Sequence, residues 1–320
     1  MILALALAAA SVSARVDAVA AQAKLAGVVL VGKGDRVLVE RGYGTVDPAG
    51  GKRNDPRARW RLASITKQVA AAMVVRRHPG DLDRPLGTQG FAPLGGLTLR
   101  QLLTHHTGLA NPDDTPLRDG VPSFYRAPAP DRSYCLTTPP KPGAPFAYNN
   151  CDYLMAVVGM YGSGALAWPA GMAMARTGEM GVPGFVAGKA EPRYELASFG
   201  AAGGLIGTAR AVFRFDRSLM TGKLMTPAAR AELWKPEGGR SYQALGQWVF
   251  PGRLKGCAAP KRIVQRDGEI GGVQTRNYIL PDDDIAVVVF TNRSSDDFAF
   301  GEIWQKSGFA YDLLSTVACP

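Results

Sequence analysis

Apolar positions run together or alternate near the two ends of the chain and follow helical spacing through its middle. Residues 16–24 have the spacing of a short helix. Residues 27–31 and 36–41 are β-rich runs, and Gly32-Lys33-Gly34-Asp35 between them has the composition of a hairpin turn. Residues 60–68 lead into an apolar helical run at 69–75, which Pro79-Gly80-Asp81 stops. Thr98 caps a further helix through Leu103, with Leu99, Leu102 and Leu103 as its apolar positions. Residues 111–145 are rich in Pro, Asp and Gly with little periodicity, which predicts a long loop. Helical spacing returns at 152–158, 205–215 and 227–234, whereas 159–204, rich in Gly, Ala and Met, has no clear period.

The last third changes period. Residues 245–250, 263–266, 272–280 and 285–291 read as strands, and Pro281-Asp282-Asp283-Asp284 joins the last two as an antiparallel pair. A helix is expected over 298–315. Strands at both ends around a helical middle predict an α+β fold. One antiparallel sheet is built from both termini with flanking helices, a helical insertion sits beside it, and the active site lies in the cleft between them. On this reading 15–58 and 200–320 form the sheet region, and 59–199 the mainly helical one, within a single domain. A chain of 320 residues is long enough to bury the core this requires.

Composition is that of a globular protein, at 46% hydrophobic and 20% charged, which excludes a disordered chain. The net charge of +10 is spread along the chain without aromatic clustering. A generally basic surface fits this better than a nucleic-acid interface does. Residues 1–14 are almost wholly apolar and small and end in Val-Ser-Ala before Arg15. They read as a signal peptide that lacks a basic beginning and is too short to span a bilayer. Cys135, Cys151, Cys257 and Cys319 form no Cys-x-x-Cys pair, and the three histidines have no metal-ligand spacing, so no metal is expected. An even cysteine count behind a signal-like segment points to disulfides and to a periplasmic or secreted protein. Cys135 and Cys151 bracket the loop leading to Tyr148. A bridge there would pin that segment and leave Cys257 and Cys319 to tie the tail to the sheet.

The chemistry centres on Ser64-Ile65-Thr66-Lys67. With a helix starting near Ser64, its hydroxyl and the Lys67 amine lie on one face, one turn apart. A serine is a poor nucleophile at neutral pH until a base takes its proton, and a lysine kept partly neutral by burial or a nearby cation can do so. The positive end of the same helix lies under Ser64, where backbone N–H groups can steady an oxyanion. His105 and His106 invite a catalytic reading, but neighbours on a helix point apart and no carboxylate is suitably spaced, so a polar network is expected.

Several motifs then agree in order and spacing. They are Ser64-Ile65-Thr66-Lys67, Leu102 to Leu109, Pro142-Gly143 ahead of Tyr148-Asn149-Asn150, and Gly203-Gly204-Leu205. Over roughly residues 16 to 316 the chain resembles the serine hydrolases built on the class C β-lactamase fold. These include class C β-lactamases, D-Ala-D-Ala carboxypeptidases, D-aminopeptidases and related carboxylesterases. The resemblance implies that Ser64 is acylated, with Lys67 beside it and Tyr148 relaying the proton. It also implies that Asn150 bonds Lys67 and the substrate. One motif departs from the family. Where Lys-Thr-Gly or His-x-Gly is usual, this chain has Arg266-Asp267-Gly268-Glu269, so a planar cation that does not deprotonate replaces Lys or His. Gly268 would let substrate approach the strand, and the Glu269 backbone N–H would complete the oxyanion site with that of Ser64.

The expectation is a cofactor-free serine hydrolase acting on small esters, amides or D-amino-acid peptides. A true β-lactamase or D-Ala-D-Ala carboxypeptidase is the alternative. Peptidoglycan is a candidate partner, and neither nucleic acid nor an integral membrane span is expected. A non-catalytic binder of cell-wall peptides is a third reading, disfavoured because Ser64, Lys67 and Tyr148 are all present.

Overall fold

The computed structural model describes residues 11–161, 166–238 and 241–319. Helix α1 (Val12–Gln22) precedes the hairpin β1 (Gly27–Lys33) and β2 (Arg36–Tyr43), followed by α2 (Ile65–Arg77), α3 (Asn150–Tyr161) and α4 (Ala209–Met220). The remaining sheet strands are β3 (Gln243–Ala244), β4 (Gln247–Gly252), β5 (Lys261–Ile270), β6 (Val273–Leu280) and β7 (Ile285–Thr291), and α5 (Phe309–Ala318) closes the chain. The strand order is β3-β4-β5-β6-β7-β1-β2. Every neighbouring pair is antiparallel. The two termini meet where β7 pairs with β1, from Gly27 opposite Thr291 to Lys33 opposite Ile285. This is the two-ended sheet that the pattern predicts.

Strands β1 and β7 are apolar along nearly their whole length because both sheet faces are covered. On one face Val16 and Ala20 of α1 and Leu313, Leu314 and Val317 of α5 pack on Val29, Val31, Val287 and Val289. On the other, α2 and α4 lie over Val28, Leu30, Val288 and Phe290. Helix α2 is buried on every side from Ile65 to Val75, and its Ala70-Ala71-Ala72 run lets neighbours approach closely. Arg76 and Arg77 complement the negative end of its dipole, and the residue before Pro79 leaves helical geometry, which ends the helix at His78.

Several expectations are corrected. Residues 205–215 are not one helix. Leu205–Gly207 is a strand between Trp60–Arg61 and Met172–Met174, and the helix starts only after the Thr208 cap. A short apolar run buried all round has the same pattern in either geometry. The terminal helix does not reach back to 298, because Gly301 and Gly308 adopt left-handed backbone angles and break it. Residues 111–145 are not bare loop. They contain the turns Pro112–Asp114 and Ser123–Arg126, a two-residue hairpin, and the helical turn Arg132–Cys135. Strand β5 is longer than 263–266, and of 245–250 only 247–250 is strand, within β4, because Leu245 and Gly246 form the turn that joins it to β3. Of the apolar leader, residues 1–10 lie outside the described residues and 12–14 form the first turn of α1. Both disulfides join the expected partners, Cys135 with Cys151 and Cys257 with Cys319.

Candidate active site

Ser64 stands at the N-terminus of α2, and the preceding Ala63 is held at φ 46°, a left-handed angle unusual for a residue with a side chain. Such backbone costs about 1–2 kcal/mol and persists where packing enforces it. Ala63 is fully buried. The Ser64 side chain makes no capping hydrogen bond, so its Oγ is committed elsewhere. It lies 2.7 Å from Tyr148 Oη and accepts from Lys67 Nζ at 3.2 Å.

Lys67 has no solvent exposure. Its Nζ also donates to Asn150 Oδ1 at 2.6 Å and to the Ala202 carbonyl at 2.8 Å. Burial lowers its pKa, and the Arg266 charge adds to that, against an opposing pull from Tyr148. For Tyr148 burial pushes the phenol up, but Arg266 and Lys67 together outweigh it and the net direction is down. The two groups nearest the Ser64 hydroxyl are thus both easier to deprotonate than their free counterparts, the requirement for activating a serine.

Arg266 is fully buried and reaches the same point from β5. Its Nη2 donates to Tyr148 Oη at 2.7 Å, its Nε to the Ser64 carbonyl at 3.0 Å, and its guanidinium lies 4.9 Å from the Trp248 ring centre. Strand alternation turns Asp267 away from it, toward Arg276 at 3.2 Å and the Gln265 amide at 3.0 Å. Glu269 is drawn off to the backbone N–H and hydroxyl of Ser295, at 3.0 and 2.9 Å. The carboxylates beside Arg266 in sequence therefore do not compete for it. Gly268 faces Ser64 so closely that a Cβ there would fall 2.7 Å from the Ser64 nitrogen and 2.4 Å from Thr275 Oγ1. Ser64, Lys67, Tyr148, Asn150, Arg266 and Gly268 are thus brought together, while the side chain of Glu269 lies off the site.

Reading the sequence alone missed a supporting layer. Asn150 Nδ2 donates to Tyr125 Oη at 2.6 Å, and Tyr125 Oη donates on to Asp113. The Tyr125 ring stacks on Phe199 with centres 3.9 Å apart. Neither 111–145 nor 159–204 has a period that would mark these residues. Residue 202 contributes a backbone carbonyl, which no side-chain pattern can reveal. His105 and His106 form the expected polar network. Buried His105 pairs its Nδ1 with Asp152 Oδ2 at 2.9 Å, while His106 bonds the Ala144 carbonyl at 2.7 Å and Glu237 at 3.2 Å. Burial, with Lys67 and Arg266 nearby, drives the His105 pKa well down, and burial drives that of Asp152 well up. The carboxylate that the local sequence lacks thus comes from 47 residues further on. The Cys135–Cys151 bridge fastens the first turn of α3 beside Asn150. Among the described residues no three His, Cys, Asp or Glu side chains are grouped to hold a metal.

The family described as Beta-lactamase matches residues 12–164 and 159–307. No curated protein matches the chain. Among solved structures, a class C beta-lactamase from Rhodobacter sphaeroides is 20% identical with a TM-score of 0.69, the match covering 95% of this chain and 98% of that one. A penicillin-binding protein from Bacillus halodurans is also 20% identical, with a TM-score of 0.66 over 94% and 98%. A D-amino acid amidase from Ochrobactrum anthropi SV3, complexed with D-phenylalanine, is 16% identical with a TM-score of 0.71 over 96% and 97%. At these identities the likeness establishes the fold.

Proposed function

The chain belongs to the Beta-lactamase family, and from that membership we propose a serine hydrolase that forms an acyl-Ser64 intermediate with small esters, amides or D-amino-acid peptides. The observation that carries this reading is the convergence on Ser64 Oγ of Tyr148 Oη at 2.7 Å and Lys67 Nζ at 3.2 Å. Tyr148, as phenolate, takes the serine proton while Oγ attacks the acyl carbon. The same phenol then returns that proton to the departing oxygen or nitrogen, and a water repeats the sequence to release the acid. Lys67 and Arg266 hold the phenolate by charge, and Asn150 fixes the Lys67 amine. Backbone N–H groups of Ser64 and Glu269 receive the carbonyl oxygen as it gains charge.

Within this class, esters are the favoured substrates. A β-lactam or terminal D-Ala presents a carboxylate, and the cation at the position of the family's Lys is already engaged with Tyr148 and the Ser64 carbonyl. The two disulfides support an oxidising compartment, periplasmic or extracellular. The test is a panel of p-nitrophenyl esters, D-Ala peptides and nitrocefin, run with wild type, Ser64→Ala and Arg266→Lys. A fluorophosphonate should label wild type and not Ser64→Ala. Short-chain esters should exceed nitrocefin at least about tenfold in kcat/KM, about 1.4 kcal/mol in the barrier. Arg266→Lys should narrow that gap. Labelling that survives in Ser64→Ala removes the nucleophile, and faster cleavage of nitrocefin than of p-nitrophenyl butyrate makes the protein a β-lactamase instead.

A further inference from the structure

Beside the candidate site lies a cavity of about 300 Å³ that the reaction described above does not use. Its wall is aromatic, with Phe146, Tyr242, Trp248, Phe250 and Trp304, and Asp267 contributes a polar edge. Three of these rings are unusually open for their size. Trp304 is 67% exposed, Tyr242 53% and Phe146 49%. Large apolar side chains held open around a concavity, rather than scattered singly, mark a binding surface.

Its position relates it to the chemistry. Phe146 lies two residues before Tyr148, and Trp248 supplies the ring face on which Arg266 rests. Arg266 and Tyr148 are themselves joined at 2.7 Å. The cavity thus lies one side chain, Trp248, away from the pair that, on the reading above, gives the proton to the departing group. Asn150, which holds Lys67, and its support Tyr125 do not line it. A second groove of about 430 Å³ shares Tyr242, Phe250 and Trp304 and continues the aromatic surface to Arg253 and Lys306.

We infer that this cavity is a subsite for an aryl group carried on the leaving side of the substrate. The inference rests on the acyl-Ser64 reading for its orientation and on the cavity itself for its chemistry. An apolar cavity of about 150 Å³ suffices to hold benzene, so this one takes a fused two-ring system. Ring-on-ring contacts with Trp and Tyr faces then add to the burial of the ligand. Asp267 does not recruit a cation strongly, because Arg276 and the Gln265 amide already occupy it, which leaves a neutral aryl group as the occupant. In the reaction the acyl–oxygen bond of an arylmethyl ester breaks and the Ser64 Oγ–acyl bond forms. The alcohol oxygen takes the proton from Tyr148 and leaves with its ring seated in the cavity.

The experiment compares 2-naphthylmethyl acetate with ethyl acetate, which share an acyl group and both release primary alcohols. It uses the full-length protein and Trp304→Ala, Tyr242→Ala and Trp304→Phe, none of which touches the catalytic groups. Wild type should favour the naphthyl ester at least about tenfold in kcat/KM, in line with stacking on several rings. Each alanine variant should lose at least about fivefold on that ester, chiefly through KM, and stay within about twofold on ethyl acetate. Trp304→Phe should recover most of the loss. Equal efficiency on the two esters in wild type, or an unchanged preference in both alanine variants, overturns the subsite. Binding of 2-naphthalenemethanol, measured by calorimetry, separates the two claims. If neither ester is hydrolysed, the acyl-serine reading fails, while binding that Trp304→Ala abolishes keeps the aryl site. Absence of binding in wild type overturns the site whatever the turnover.

Discussion

Replacing Gly268 with alanine tests the closest contact in the candidate site. The added methyl would lie 2.7 Å from the Ser64 nitrogen and 2.4 Å from Thr275 Oγ1, where ordinary van der Waals contact begins at 3.4 Å. The threonine hydroxyl can rotate, although it also donates to the Leu62 carbonyl at 3.0 Å. The Ser64 nitrogen is backbone at the start of a helix buried from Ile65 to Val75 and has no such freedom. To open from 2.7 to 3.4 Å, strand and helix must separate by about 0.7 Å. Gly268 immediately precedes Glu269, so that displacement shifts the two backbone N–H groups proposed for the oxyanion relative to each other. Misplacement by about 1 Å costs on the order of 10²-fold, and loss of one oxyanion donor 10²–10³-fold. We expect kcat/KM on p-nitrophenyl butyrate to fall by about 10²-fold and fluorophosphonate labelling to slow in parallel. Stability should fall by about 1–3 kcal/mol, the usual cost of overpacking, so the protein still folds. Gly80→Ala, whose Cβ meets nothing within 4 Å, is the control and should match wild type. A Gly268→Ala enzyme that keeps more than a third of its kcat/KM, with Gly80→Ala also normal, refutes the close-approach argument.

Three further outcomes are expected. Tyr148→Phe and Lys67→Ala should each slow acylation at least about 10²-fold, and the double variant should be little worse than either, because the groups act as a unit; additive losses in single-turnover kinetics would contradict this. Because the phenolate is the active form, kcat/KM should rise with pH and level off, with a midpoint below the 10.0 of an ordinary phenol that belongs to the Tyr148–Lys67 pair; Arg266→Gln removes a charge that favours the phenolate and should move the midpoint upward, and an unmoved profile counts against that role. Removing the Cys135–Cys151 bridge by a double serine substitution should cost about 3 kcal/mol in urea denaturation and lower kcat by loosening Asn150, whereas removing Cys257–Cys319 should cost about 4 kcal/mol and leave kcat intact.

The features legible in the sequence were the local ones. Period-two and continuous apolar runs placed six of the sheet's seven strands, all but β3, and the turn Pro281 to Asp284 paired β6 with β7. Helix α2 was readable from its apolar run and its Pro-Gly stop, and Ser64 and Lys67 from one-turn spacing. Tyr148 and Asn150 came from motif order, a resemblance rather than a physical derivation. Tertiary structure decided the rest, because its causes lie far apart in the chain. Leu205–Gly207 is a strand because partners at 60–61 and 172–174 flank it, and nothing in its own apolar pattern distinguishes that from a helix. His105 finds its carboxylate 47 residues away, and Asn150 is held by Tyr125 from a segment without periodicity. The Lys67 pKa is lowered by burial with help from Arg266, and that of Tyr148 by Arg266 and Lys67 against its burial; the Arg266 guanidinium arrives from a strand about 200 residues after Ser64. A residue's own spacing fixes which way it points on its helix or strand, but its electrostatic environment is set by whichever distant segments the closed sheet brings against it.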